Sequence, residues 1–328
     1  MILRSSVRIA LLISVFAAAV YGCSNQTVSS LLPQSGADSL HPAPRPLRQW
    51  IQKKPMPTHR GQLAVVALND ELYALGGETY GQVVSTVEMY DHHSNTWIEE
   101  PPMPTARVDF AAGIGKNFLY AIGGDDGYHG FINTLEIFDP GTESWTTGPP
   151  MPTRRSSLAV GAINGVLYAV GGYGWPVSTI HAYPGPLTAV EAFDPATGRW
   201  TSKAPLPTPR EAFAVSVVSG KLYAIGGYDT TFLNDVEAYD PITDTWTKRA
   251  PMPTARANLA ACAVNGIIYA VGGLNTGAMR TVEAYNPVTD TWTRLASMPT
   301  GLNGLGVGVV GGEIHALRGA HHYVFNPQ

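Results

Sequence analysis

The sequence predicts an all-β protein built from six repeats, each of four short strands. Two sets of markers carry this reading. Double glycines stand at Gly76-Gly77, Gly123-Gly124, Gly171-Gly172, Gly226-Gly227 and Gly272-Gly273, with a lone Gly319 in the sixth place. Tryptophans stand at Trp50, Trp97, Trp145, Trp200, Trp246 and Trp292, so their steps are 47, 48, 55, 46 and 46 residues. The steps from Gly77 through Gly124, Gly172, Gly227 and Gly273 to Gly319 are the same five numbers. Two markers sharing one spacing series define a repeat protein. Composition agrees: 35 glycines and 26 prolines in 328 residues suit many turns, and 45% hydrophobic residues supply a large core.

The chain opens on a segment with the makings of an export signal. Arg4 and Arg8 form a positive region, followed by an apolar run of 12 residues from Ile9 to Val20. That run is shorter than the roughly 20 residues of a membrane span and fits a secretory signal over residues 1–22. It ends Val20-Tyr21-Gly22-Cys23-Ser24, which resembles a bacterial lipobox, although Tyr21 is bulkier than usual there. The resemblance implies lipid on Cys23 and a chain exported to the cell envelope and held at a membrane. Ordinary secretion, with cleavage after Ala19 or Gly22, is the alternative. Residues 23–46 are then a polar tether carrying Pro33, Pro42, Pro44 and Pro46, and residues 47–328 are the folded domain.

Within a repeat the strands can be read one by one. From Arg256 to Val264 the chain is apolar with small residues, and Asn265-Gly266 makes a hairpin turn. Ile267 to Val271 is the second strand, stopped by Gly272-Gly273. After a variable loop, Thr281 to Tyr285 is the third, ended by Asn286-Pro287. Thr291 to Leu295 is the fourth and carries Trp292, a large apolar surface for packing between repeats.

These motifs resemble the Kelch family. Tyr-Ala-x-Gly-Gly begins at Tyr73, Tyr120, Tyr168, Tyr223 and Tyr269, and a Val-Glu-x-aromatic-Asp/Asn segment ends at Asp91, Asp194, Asp240 and Asn286, with a Leu135-Glu136 copy ending at Asp139. A tryptophan follows each of these six residues on. The resemblance runs from Trp50 to the C-terminus and implies a six-bladed β-propeller of four-stranded blades. The last repeat lacks a fourth strand and a tryptophan, while Trp50 stands ahead of the first double glycine. The N-terminal segment from Gln49 to Gln52 is therefore expected to close the last blade and remove the free sheet edges. That last repeat also diverges, with His315 in place of the tyrosine, Arg318 of the first glycine and Tyr323 of the glutamate.

Alternating strands put the four-to-one and two-to-three loops on one rim. The two-to-three loops vary in length and carry Tyr80, Tyr128, Phe131, Tyr173, Trp175, Tyr183, Tyr228 and Phe232, a set suited to peptide or sugar contact. Each first strand on this rim begins with an arginine, at Arg60, Arg107, Arg155, Arg210 and Arg256, with Leu302 in the sixth place. These arginines either form an open collar for carboxylates, as in Kelch propellers that recognise acidic peptides, or pair internally with Glu88, Glu136, Glu191, Glu237 and Glu283. Internal pairing is the expectation for most of them. Arg107, Arg154, Arg155 and Arg210, with Tyr128, Tyr173, Trp175, Tyr183 and Tyr228, are the candidate ligand contacts.

Other chemistry has little support. The net charge of −4 argues against non-specific nucleic-acid binding. Cys23 and Cys262 make no disulfide framework. Asp125 with His129, and His321 with His322, fall short of a metal-ligand set, and no cofactor motif is present. The sequence therefore points to a monomeric, exported binding module that holds a protein or glycan on its loop rim. The alternative is a periplasmic sugar mutarotase or epimerase, similar to the Kelch-type sialic-acid mutarotases. It would act at the channel mouth through an acid and a base, for which Asp109 and Glu211 are the candidates. A structural surface protein is a third reading.

Overall fold

The structure, a computed structural model, describes residues 49–175 and 183–327. The expected signal segment, the tether and Cys23 lie outside the described residues. Among those described, six four-stranded antiparallel sheets are present and no helix. The first blade runs from strand Ala64–Leu68 to Thr96–Glu100, the second from Ala111–Gly115 to Ser144–Gly148, and the third from Ala159–Ile163 to Arg199–Ser202. The fourth runs from Ala214–Val218 to Thr245–Arg249 and the fifth from Ala260–Val264 to Thr291–Arg294. The first strands of successive blades lie side by side in a closed cycle, with Gly306–Val310 returning to Ala64–Leu68.

Burial follows from this arrangement. Second strands such as Lys221–Ile225 are buried at every residue after the first, because neighbouring blades cover both faces of the sheet. First strands alternate between buried and partly open positions, as expected for an edge strand facing a channel. Blades meet through aromatic rings: Tyr73 packs against Phe138, Tyr120 against Phe193, Tyr168 against Tyr239 and Tyr223 against Tyr285. Each repeat tryptophan also crosses a seam. Trp97 Nε1 donates to Lys54 O, Trp145 to Pro101 O, Trp200 to Pro149 O, Trp246 to Ala204 O and Trp292 to Ala250 O. The tryptophans therefore contribute a directed bond as well as apolar area.

The last blade is closed as expected. Trp50–Gln52 pairs antiparallel with His321–Phe325, with Trp50 opposite Phe325. The Trp50 ring stacks on Phe325 at 5.1 Å and its Nε1 donates to Ala296 O in the fifth blade. A Trp50→Ala variant is expected to lose about 1–3 kcal/mol of stability, since a half-buried aromatic and a hydrogen bond go together. Urea unfolding measures this, and an unchanged midpoint would mean that the closing strand does not hold the ring shut.

The third and fourth strands of the fifth blade, Val282–Asn286 and Thr291–Arg294, differ from expectation by one residue, and the first differs by four. The first strand of the fifth blade begins at Ala260 rather than Arg256. Asn258 has φ 51°, a left-handed conformation that interrupts the extended chain. The double glycines act as expected. Gly76 and Gly77 have φ 54° and 97°, and a side chain on Gly77 would approach Gly61 O to 2.5 Å. The Gly77 N–H bonds to Arg107 O at 2.9 Å, which joins two blades directly.

Candidate functional site

The collar arginines point inward. Arg60, Arg107, Arg155, Arg210 and Arg256 are buried with their glutamates. Arg60 Nη1 lies 2.7 Å from Glu88 Oε2, Arg107 Nη2 2.9 Å from Glu136, Arg155 Nη1 2.6 Å from Glu191 and Arg210 Nη2 2.8 Å from Glu237; Arg256 pairs with Glu283 in the same way. In three of the arginines Nη2 donates to a second-strand carbonyl, as Arg155 Nη2 does to Ala169 O at 3.1 Å, and in Arg107 and Arg210 Nη1 donates to the first glycine carbonyl after that strand, Gly123 O and Gly226 O, at 3.0 Å. Threonines two residues before the arginine complete the cage, with Thr153 Oγ1 donating to Glu191 at 2.7 Å and Thr208 Oγ1 to Glu237 at 2.8 Å. Burial pulls each guanidinium below its ordinary pKa, and the facing glutamate opposes that shift.

This corrects the assignment of Arg107, Arg155 and Arg210 as ligand contacts. They are wholly buried and engaged within their own blades, so none presents a free guanidinium at the rim. The sixth blade replaces both partners together: Leu302 stands for the arginine and Tyr323 for the glutamate, and Thr300 Oγ1 bonds the Tyr323 hydroxyl at 3.1 Å. Losing both charges leaves neither buried alone.

Arg154 is the exposed member of the set. It borders a groove of about 250 Å³ with Asp125, His129, Gly130, Phe131 and Trp175. The groove lies between the two-to-three loop of the second blade and the start of the third. Its floor is braced by Phe131 against Tyr173, with ring centres 5.6 Å apart. Trp175 is 56% exposed. Among the described residues the Arg154 guanidinium has no ion-pair or hydrogen-bond partner. Tyr128 stands beside the groove on His129, with ring centres 4.6 Å apart, and is 87% exposed. Tyr183 is also exposed. Tyr228 does not join this groove: it is half-buried and packs against Phe232 in the loop of the fourth blade.

A second feature lies at the channel mouth. Two residues beyond each arginine position stand Gln62, Asp109, Ser157, Ala212, Asn258 and Gly304, each with φ between 50° and 55°. Their backbones form a closed ring of hydrogen bonds. Asp109 N–H donates to Gln62 O, Ser157 to Asp109, Ala212 to Ser157, Asn258 to Ala212, Gly304 to Asn258 and Gln62 to Gly304. The ring frames a cavity of about 110 Å³. Asp109 accepts from Gln62 Nε2 at 3.0 Å, and burial pushes its carboxyl up to about 6. Glu211 is raised too, by burial and then by Asp109. Sequence reasoning reached Asp109, and Glu211 next to the ring, but missed the other five ring members. The available signal was their constant offset from the arginine position. It also missed Arg318, whose guanidinium reaches Asn303 Oδ1 and lies near Gly61 and Gly304. The sixth blade joins its second and third strands by the short turn Gly319-Ala320, so Arg318 occupies space that a longer loop fills elsewhere.

Cys262 is buried, and burial pushes its thiol up to about 12. The histidine and acid pairs considered for metal are engaged locally. His129 Nδ1 lies 2.8 Å from Asp126 Oδ2, and His322 Nε2 lies 2.9 Å from His315 Nδ1.

Six sheets around a polar-mouthed channel, with variable loops on one rim, define a β-propeller. The Kelch motif matches residues 59–104, 106–152, 154–207, 209–253 and 255–299, and the chain belongs to the Kelch-repeat family. Over 49 residues it is 51% identical to Kelch-like protein 1 of Mus musculus, covering 15% of this chain and 6% of that protein. It is 50% identical to Kelch-like protein 4 of Homo sapiens over 46 residues, which is 14% of this chain and 6% of the relative. To the influenza virus NS1A-binding protein homolog of Mus musculus it is 46% identical over 41 residues, 12% of this chain and 6% of the relative. The matched stretches thus span about 6% of the length of these relatives.

Proposed function

We propose that this protein is an exported binding module, held at a membrane by lipid on Cys23, that grips a protein partner in the groove between its second and third blades. The observation that supports this reading is the pairing of Arg154, an exposed guanidinium without a partner among the described residues, with exposed Trp175 and Tyr128. Aromatic and arginine side chains carry most of the energy of protein interfaces, especially where the scaffold holds them rigid. The name of one relative, an NS1A-binding protein homolog, is in keeping with a protein partner. A glycan would use the same aromatic faces. The lipid anchor is supported by the Val20-to-Ser24 segment and predicts that Cys23→Ser releases the protein from membranes.

The test is affinity capture from native envelope extract, with an Arg154→Glu/Trp175→Ala variant as the control bait. A partner held by the groove is lost at least tenfold in the variant, because each anchor is worth about 2 kcal/mol or more when truncated. Equal capture by both baits would place the contact elsewhere on the rim.

A second reading rests on the channel mouth. A carboxyl pushed up to about 6 is suited to proton transfer near neutral pH, and Arg318 stands near the same mouth as a candidate anchor for an acidic sugar. Turnover of acidic sugars that disappears in Asp109→Asn while groove binding persists would support this reading over the first.

A further inference from the structure

The opposite rim carries a cluster that no part of the binding reading uses. Asp70 lies in the turn between the first two strands of the first blade, and His92 and His93 lie in the turn between its last two. His92 Nε2 and His93 Nε2 both lie 3.1 Å from the same carboxylate oxygen, Asp70 Oδ2. The two imidazole rings are 3.9 Å apart, and one ligand atom from each of the three residues falls within 4.8 Å of the others.

The repeats provide an internal comparison. Where the first blade has Asp91-His92-His93-Ser94, later blades have Asp139-Pro140-Gly141-Thr142, Asp194-Pro195-Ala196-Thr197, Asp240-Pro241-Ile242-Thr243 and Asn286-Pro287-Val288-Thr289. Where the first blade has Asp70, the third to sixth have Gly165, Gly220, Gly266 and Gly312. Asp70 has φ 67°, a left-handed conformation that those glycines adopt without a side-chain penalty. Three departures from the repeat, one of them conformationally unfavourable, therefore converge on one point of one blade. The turn itself requires none of them.

We propose that Asp70, His92 and His93 form a binding site for a transition-metal dication of the zinc class. Two neutral imidazoles and a carboxylate are a donor set such ions favour over magnesium or calcium. Donor atoms about 2.0–2.1 Å from one zinc ion stand about 3.0–3.4 Å apart, which matches both nitrogen-to-oxygen distances. A cation would take the place of the hydrogens that the imidazoles now direct at Asp70. Asp70 Oδ2 is the oxygen that both imidazoles face. His92 also lies against Gly311, 3.2 Å from where a side chain would begin. The site thus sits beside the seam between the first and sixth blades, where the chain closes on itself. His93 is 74% and Asp70 54% exposed at the side chain, so an entering ion has open access and keeps room for water.

The test uses the untagged chain, titrated with zinc chloride by calorimetry and followed by thermal unfolding. Wild type should bind one zinc equivalent more than His93→Ala, and zinc should raise its Tm saturably. His93→Ala and Asp70→Gly should each weaken that equivalent by about tenfold or more. Asp70→Gly restores the residue used in four other blades, so its metal-free Tm should not fall, which separates loss of a ligand from loss of fold. The proposal is overturned if zinc binds both variants as it binds wild type, if no saturable zinc binding occurs, or if magnesium raises the Tm equally.

Discussion

An Arg155→Met variant should lose about 3–5 kcal/mol of stability, because it strands the Glu191 carboxylate in a site that excludes water. The attached Thr153 hydroxyl and the Ala169 carbonyl cannot neutralise it. The sixth blade indicates how the loss can be recovered. There Leu302 and Tyr323 replace both charges, and the threonine turns to the tyrosine hydroxyl. The double variant Arg155→Leu/Glu191→Tyr should therefore be more stable than Arg155→Met by at least about 2 kcal/mol, a non-additivity expected of residues in one network. Urea denaturation of both variants measures this. If Arg155→Met unfolds at the wild-type midpoint, the pair is not the structural element described above.

Acid should open the closure of the ring. His322 Nδ1 donates to Lys54 O at 2.9 Å, which leaves its Nε2 to accept from His315 Nδ1. His315 Nε2 is then a buried acceptor without a partner among the described residues. Burial drives both imidazoles down, His322 to about 4 and His315 to about 3. Unfolded histidines take up protons near pH 6.5, so on acidification the unfolded chain binds more protons than the folded one. The stability present above pH 6.5 is therefore lost progressively as pH falls toward the folded values. Asp109 works in the opposite sense, because its raised carboxyl favours the fold as pH drops from about 6. Comparison with a variant isolates the histidines. His315→Tyr/His322→Val installs the residues the first blade has in Tyr73 and Val87. Between pH 7 and 4.5 the wild type should lose roughly 4–5 kcal/mol more than this variant. Parallel stability curves would mean that the folded pair takes up protons as readily as the unfolded chain, and would overturn this account.

Much of this fold can be read from the residues themselves because each repeat restates the same local rules. The steps between tryptophans and glycines fix the repeat, and a missing fourth strand at one end with an extra Trp50 at the other fixes the closure. The site was less legible. An arginine in five equivalent places has the chemistry of a carboxylate collar and of a buried pair alike. The choice depends on which way the side chain turns, and the glutamate in the third strand decides it from 27–36 residues away. Arg154 and Arg155 show the limit most clearly, since adjacent residues of one type have opposite fates. The three side chains around Asp70 come from two turns more than twenty residues apart in sequence. No short motif joins them, and the departure of the first blade from its sister repeats is the only signal in the sequence.

The ring at the channel mouth bears on how such a protein changes over generations. Its six bonds run from peptide to peptide, so they are indifferent to which side chain each residue carries. Glutamine, aspartate, serine, alanine, asparagine and glycine all occupy equivalent places in a single molecule. The scaffold's integrity and the chemistry displayed at its centre are therefore inherited almost separately. Selection can revise the mouth one blade at a time, among residues that tolerate the left-handed backbone, without first repairing the wheel that presents it.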